Sequence, residues 1–229
     1  MSATINRISS SDDPHRGEPV STAGPSPEEG KGTLILIHGR GDSADGILSL
    51  YETFGLTELA AIAPDAAGHT WYPLSFLAPL DSNQPYLDSA IRKIESIVTE
   101  LLSRDIPSER IAILGFSQGA CLTTEFIARH PRQYGAAIAL TGGLIGPPGT
   151  SRNYSGSLNN TPVFLGSSDP DPHVPFERVR ETQTVLTRMG AKVELRRYPG
   201  MPHTINEDEL NACRHLLREM VSNPPEDKP

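Results

Sequence analysis

Ile111-Ala112-Ile113-Leu114-Gly115-Phe116-Ser117-Gln118-Gly119 is an apolar run that ends in the pattern G-x-S-x-G. The five-residue pattern arises easily by chance, so its flanks carry the weight. Ile111 to Leu114 is a short run of the kind that forms a buried strand. Residues 118–129, Q-G-A-C-L-T-T-E-F-I-A-R, set Cys121, Leu122, Glu125, Phe126 and Arg129 at helical spacings. A strand, a sharp turn and a helix form the setting in which a serine hydroxyl is lifted clear of a sheet, and the flanking glycines let the chain turn that tightly. Ser117 is the expected nucleophile. The competing reading is a serine that only caps the helix.

Outward from this stretch, strands and helices alternate. Thr33 to His38, Leu59 to Ala63, Gly135 to Leu140, Pro162 to Leu165 and Lys192 to Tyr198 read as strands. Helices are expected over Asp45 to Thr53, Pro85 to Ser103, Phe176 to Met189 and Asn206 to Val221. The second of these places Leu87, Ile91, Ile94, Val98 and Leu101 on one face. Apolar strands alternating with helices predict an α/β fold: a mostly parallel sheet covered on both faces, with ligands beyond the carboxyl ends of the strands. Residues 1–30 are rich in Ser, Pro, Gly and acids and read as a mostly flexible tail, with one extended piece near Pro19 to Thr22. Residues 31–222 read as a single domain, and 223–229 as a second tail. Ala66 to Asn83 and Gly142 to Asn160 lack periodicity and are expected around the mouth of the site.

The 229 residues suffice for a substantial core, and the formal charge of −8 argues against nucleic acid or anionic membrane as a partner. The N-terminal residues carry no apolar signal region, no run reaches membrane-spanning length, and no lipidation motif is present, so no stable membrane anchor is expected. Two cysteines, Cys121 and Cys213, both on expected helices, suit a reducing cytoplasm.

An activated serine needs a base, and the base needs an orienting carboxylate. His203, in Y-P-G-M-P-H after the last strand, is the expected base. His38 is expected to support its strand end, His130 to end a helix, His15 to lie in the tail and His215 on the surface; His69 and His173 are site-adjacent. No histidine pair has metal-ligand spacing, so no metal and no cofactor is expected. The acid should fall between serine and histidine, where Gly166 to Pro175 offers Asp169 and Asp171. The oxyanion needs two donors. The N–H of Gln118 at a helix N-terminus is one. The N–H of Arg40 in the loop H-G-R-G-D is the other, with Gly39 allowing close approach of substrate.

Taken in order, H-G-R-G-D, G-F-S-Q-G, D-P-H-V-P and G-M-P-H resemble the phospholipase/carboxylesterase family of α/β-hydrolases over roughly residues 31–222. The resemblance implies an α/β-hydrolase fold without a separate large lid domain, and hydrolysis of small-molecule esters or thioesters through an acyl-enzyme. It maps the nucleophile to Ser117, the base to His203 and the acid of its D-P-x-V-P box to Asp171. Arg40 departs from the apolar residue common there; its guanidinium would favour an anionic substrate group or pair with a nearby acid. The loop bearing Trp71 and Tyr72 is longer and more aromatic than in the thioesterases, and both residues are expected at the substrate; Trp71 would wall a compact acyl or aromatic pocket, with core packing as the competing reading. The expected enzyme is a serine carboxylesterase, monomeric or homodimeric. Lysophospholipase, acyl-protein thioesterase and a non-catalytic ligand-binding homologue are the alternatives.

Overall fold

A computed structural model of the chain describes residues 13–223. The strands are β1 (Val20–Ala23), β2 (Gly32–Ile37), β3 (Leu59–Pro64), β4 (Ile111–Phe116), β5 (Ala136–Leu140), β6 (Pro162–Asp169) and β7 (Lys192–Pro199). The helices are α1 (Ala44–Phe54), α2 (Tyr86–Ser103), α3 (Gln118–Arg129), α4 (Phe176–Arg188) and α5 (Glu207–Ser222). The strands form one seven-stranded sheet in the order β1-β3-β2-β4-β5-β6-β7. Neighbours from β3 to β7 run parallel, and β1 pairs antiparallel with β3. This is the mostly parallel sheet that the alternation of strands and helices predicts. Most element ends shift by a residue or two. The largest shift is β6, expected to end at Leu165, which runs to Asp169 because β7 pairs with it from Pro162↔Lys192 to Asp169↔Pro199.

Side chains alternate across each strand, so one apolar run serves two cores. Ile35, Ile37, Ile113 and Ala137 pack with Ile94 and Val98 of α2, Phe126 of α3 and Val179 of α4. Leu34, Leu36, Leu114 and Ile138 pack with Ile47 and Phe54 of α1 and Leu217 of α5. Ser43 caps α1 by accepting from the Gly46 N–H at 3.2 Å, and Gly55 ends it at φ 62°. Asn206 and Glu209 form a reciprocal capping box at the start of α5.

The N-terminal segment differs from its reading as a tail. Residues 1–12 and 224–229, the outer parts of the two expected tails, lie outside the described residues. From Asp13 onward the chain is packed. The extended piece foreseen near Pro19 is the edge strand β1, with Val20↔Pro64 and Ala23↔Ala61 in register. His15, assigned to the tail, is fully buried. The segment is polar, but its polar groups are matched: Lys93 Nζ donates to Glu18 O at 2.5 Å, and Ser89 Oγ donates to Asp13 Oδ1 at 2.6 Å. Composition cannot distinguish a solvated polar segment from one whose hydrogen bonds are made by its own domain.

Candidate active site

β4 delivers the chain into a turn that only its sequence permits. Ser117 sits at φ 54°, ψ −114°, a conformation disfavoured for a residue with a side chain. A Cβ at Gly115 would come within 2.2 Å of the Gly119 main chain, and one at Gly119 within 2.0 Å of Ile37 O. The turn is held by Ser117 N–H donating to Leu140 O at 3.0 Å and Cys121 N–H donating to Ser117 O at 3.0 Å. The hydroxyl therefore projects above the carboxyl edge of the sheet from a fixed backbone.

Two further loops meet it there. The loop between β7 and α5 brings His203 Nε2 to 2.8 Å from Ser117 Oγ. The loop between β6 and α4 brings Asp171 Oδ2 to 2.7 Å from His203 Nδ1. An ionised carboxylate can only accept, so Nδ1 carries the proton and Nε2 is left to accept from the serine hydroxyl. Asp171 Oδ1 accepts from the N–H groups of His173 and Val174, both at 2.8 Å. Burial alone would raise its carboxyl. The hydrogen bonds from His203 and the two amides outweigh that and hold it below the usual carboxylate range. Asp169, the other candidate acid, is committed elsewhere, in an ion pair with Arg197.

A cavity of about 680 Å³ opens over Ser117, lined by Gly39, Arg40, Tyr72, Leu74, Phe76, Phe116, Gln118, Cys121, Val174 and His203 among others. Among the described residues, neither the Arg40 N–H nor the Gln118 N–H has a protein acceptor. The side chain of Arg40 is turned to main-chain carbonyls. Nη1 donates to Pro73 O at 3.0 Å, and Nη2 donates to Tyr72 O at 2.9 Å and Leu74 O at 2.8 Å. The guanidinium thus clamps the cavity wall and, among the described residues, pairs with no acid. Gln118 adds a second clamp, its Oε1 accepting from Trp71 N at 2.9 Å and its Nε2 donating to Tyr72 O at 2.8 Å.

Of the residues expected to bind substrate, Gly39 and Tyr72 line the cavity and Trp71 does not. Trp71 is fully buried behind the wall, its indole N–H donating to His38 O at 3.0 Å. A tryptophan in an aperiodic segment reads equally as wall or core, and the indole's hydrogen bond decides for core. The Gly142 to Asn160 segment also stays away from the cavity. It buttresses the wall from behind, with Gly146 N–H donating to Phe76 O at 2.7 Å. Arg178 Nη1 bonds Leu144 O and Gly146 O, both at 2.6 Å.

The other histidines fall largely where the sequence puts them: His38 buried at a strand end, His130 ending α3, His215 on the surface. His173 reaches the cavity and meets the His203 ring edge-on at 5.0 Å. Leu74, Phe76, Phe116, Cys121 and Val174 are lining residues the sequence did not single out. Leu74 and Phe76 lie in the segment foreseen at the mouth; Cys121 follows Ser117 by one helical turn. Burial pushes the Cys121 thiol up to about 11, so it remains protonated near neutrality and is a poor nucleophile. Among the described residues no cluster of His, Cys, Asp and Glu could hold a metal ion, and no helix is long and apolar enough to cross a membrane.

Comparison with known proteins identifies the family and the fold. The profile of the Phospholipase/Carboxylesterase family matches residues 23–221. The crystal structure of a phospholipase/carboxylesterase from Dyadobacter fermentans is 44% identical and superposes with a TM-score of 0.85, covering 88% of this chain and 97% of that one. A probable carboxylesterase of Oryza sativa is 26% identical over 203 residues, 81% of this chain and 76% of that protein. Acyl-protein thioesterase 1 of Saccharomyces cerevisiae is 28% identical over 213 residues, 83% of this chain and 93% of that protein. The chain belongs to the phospholipase/carboxylesterase family and is a serine hydrolase of the α/β-hydrolase fold.

Proposed function

We propose that the chain is a carboxylesterase that works through an acyl-enzyme on Ser117, with Ser117, His203 and Asp171 as its catalytic triad. The observation that carries this reading is the unbroken relay from Ser117 Oγ through His203 to Asp171, opening on a cavity with two amides that have no protein acceptor. Ser117 attacks the ester carbonyl as His203 Nε2 takes its proton, and Asp171 stabilises the resulting imidazolium. The N–H groups of Arg40 and Gln118 receive the oxyanion, each such donor contributing about 3 kcal/mol to the transition state. His203 then protonates the departing alcohol. Water, deprotonated by the same ring, hydrolyses the acyl-serine and restores the hydroxyl.

The substrate is an ester of a small to medium acyl or aromatic group. Tyr72, Leu74, Phe76, Phe116 and Val174 give the cavity an apolar wall, and the one guanidinium on it is turned towards carbonyls. The same chemistry serves thioesters, a second reading favoured by the yeast relative. Two buried free thiols, Cys121 and Cys213, favour a reducing, cytoplasmic setting. The test is hydrolysis of p-nitrophenyl esters of graded chain length beside matched acyl thioesters. Activity on short and medium chains that vanishes in Ser117→Ala supports the reading. No activity on any ester or thioester overturns it, and a preference for C12 or longer moves the assignment to lipid or protein-acyl substrates.

A further inference from the structure

We propose that His15, carried by the N-terminal segment, is a positioning residue for the active site: it holds the cavity wall against the nucleophile's helix. The proposal rests on the Ser117-centred reading of the site. His15 is fully buried although the segment around it is polar. Its main-chain N–H donates to Ser89 Oγ on α2 at 2.9 Å. Its ring accepts the Ala67 N–H at Nδ1, 3.0 Å, which leaves Nε2 to donate to Trp71 O at 2.9 Å. The ring also meets the Trp71 indole edge-on at 5.3 Å.

From Trp71 the contacts run straight to the chemistry. Its N–H is taken by the side chain of Gln118, next to Ser117, and its indole N–H by the carbonyl of His38, which precedes Gly39 and Arg40. One residue thus links the N-terminal segment to Gln118 and to the strand end that leads into the Arg40 loop. Neither Ala67 nor Trp71 has an alternative partner at these groups among the described residues. His38 makes a parallel contact, accepting the Ala66 N–H at 3.2 Å. Two neutral imidazoles therefore grip consecutive amides where the wall begins.

Both grips require an unprotonated ring nitrogen. Burial lowers both imidazoles below the ordinary histidine value. The charged groups facing His15 are Asp13 and Glu18 on its own segment and Lys93 on α2; Arg92 of α2 pairs with Asp13. The wall presents the Ala67 N–H, the Trp71 carbonyl and the edge of the Trp71 indole to His15, and His38 faces Asp42, Asp65 and His69. Protonating Nδ1 would set an N–H against the Ala67 N–H and release the start of the wall.

The test compares His15→Ala with His15→Gln, which keeps a donor for Trp71 O, and with Val221→Ala, a buried substitution on α5 in the opposite core. Kinetics on a p-nitrophenyl ester are read beside hydrogen exchange of residues 66–76. His15→Ala is expected to lower kcat/KM about tenfold or more, in line with the cost of small misplacements at a reacting centre. It should also speed exchange in that segment, and His15→Gln should recover part of both. Val221→Ala should lower the melting temperature with kcat/KM unchanged. In the wild type, exchange of 66–76, corrected for intrinsic rates, should rise as pH falls below about 6.5, and less so in His15→Gln. An effect of His15→Ala no larger than that of Val221→Ala on either readout overturns the proposal. If His15→Ala does not fold, His15→Gln and the wild-type pH series decide. The exchange series, repeated in Ser117→Ala, needs no activity, so failure of the esterase reading and failure of this proposal are separable.

Discussion

At the scale of single residues, Ser117, His203 and Asp171 form one hydrogen-bonded chain. Ser117→Ala removes the hydroxyl facing His203 Nε2 and should lower kcat by about 10⁵–10⁶-fold with the fold intact, checked by circular dichroism. Asp171→Asn leaves the imidazole in the wrong tautomer and should cost roughly 10³–10⁴-fold in kcat. Asp169→Asn breaks only an ion pair with the half-exposed Arg197 and should change kcat little. Comparing the two variants on one ester checks the choice of acid; a larger loss at Asp169 would reverse it. The meeting of Ser117 and His203 was legible in the sequence because each sits in a local motif after a strand. Choosing between Asp169 and Asp171 needed the resemblance, since both follow the same strand and only three-dimensional contacts separate them. The work of the Arg40 guanidinium was hidden for the same reason, its acceptors being carbonyls more than thirty residues away in the chain.

At the scale of elements, α5 carries a second titration. Glu209, third residue of that helix and buried, has its carboxyl pushed up to about 7 by burial, against the opposing bond from the Asn206 amide. The folded chain therefore keeps a proton that the unfolded chain has released between about pH 4.5 and 7. That contribution is present in full below about 4.5 and is lost as pH rises through 7, to the order of 3 kcal/mol. Glu209→Gln is neutral and can still accept the Asn206 N–H, so it should flatten this dependence. Urea unfolding at pH 5 and pH 8 should show a smaller difference in the variant than in the wild type. Asn206→Ala, which removes the cap, should cost about 1 kcal/mol at either pH. Helices and strands were the most legible level, since α2 shows a clean apolar stripe and β2 to β4 near-continuous apolar runs. Loops were the least legible. Ala66 to Asn83 and Gly142 to Asn160 both lack periodicity, yet one lines the cavity and the other braces it.

At the scale of the whole molecule, one sheet joins both cores, and the N-terminal segment closes its β1 edge. Residues 13–223 should therefore unfold as a unit. Far- and near-ultraviolet circular dichroism should give coincident transitions in urea; two separated transitions would show that the segment detaches first. The architecture was readable from strand and helix alternation alone, but the burial of His15 was not, because its partners on α2 and the wall are more than fifty residues away in sequence. The three principal groups also depend on the molecule to different degrees. Ser117 is aimed by the packing of β4 against α3 and β2, and His203 by a loop strung between β7 and α5. Asp171 is oriented largely from within its own turn, by the amides two and three residues onward. The D-P-H-V-P segment is thus a portable cassette: grafted after a strand of another parallel sheet, it would arrive with its carboxylate already aimed, whereas the nucleophile could be moved only by rebuilding the sheet beneath it.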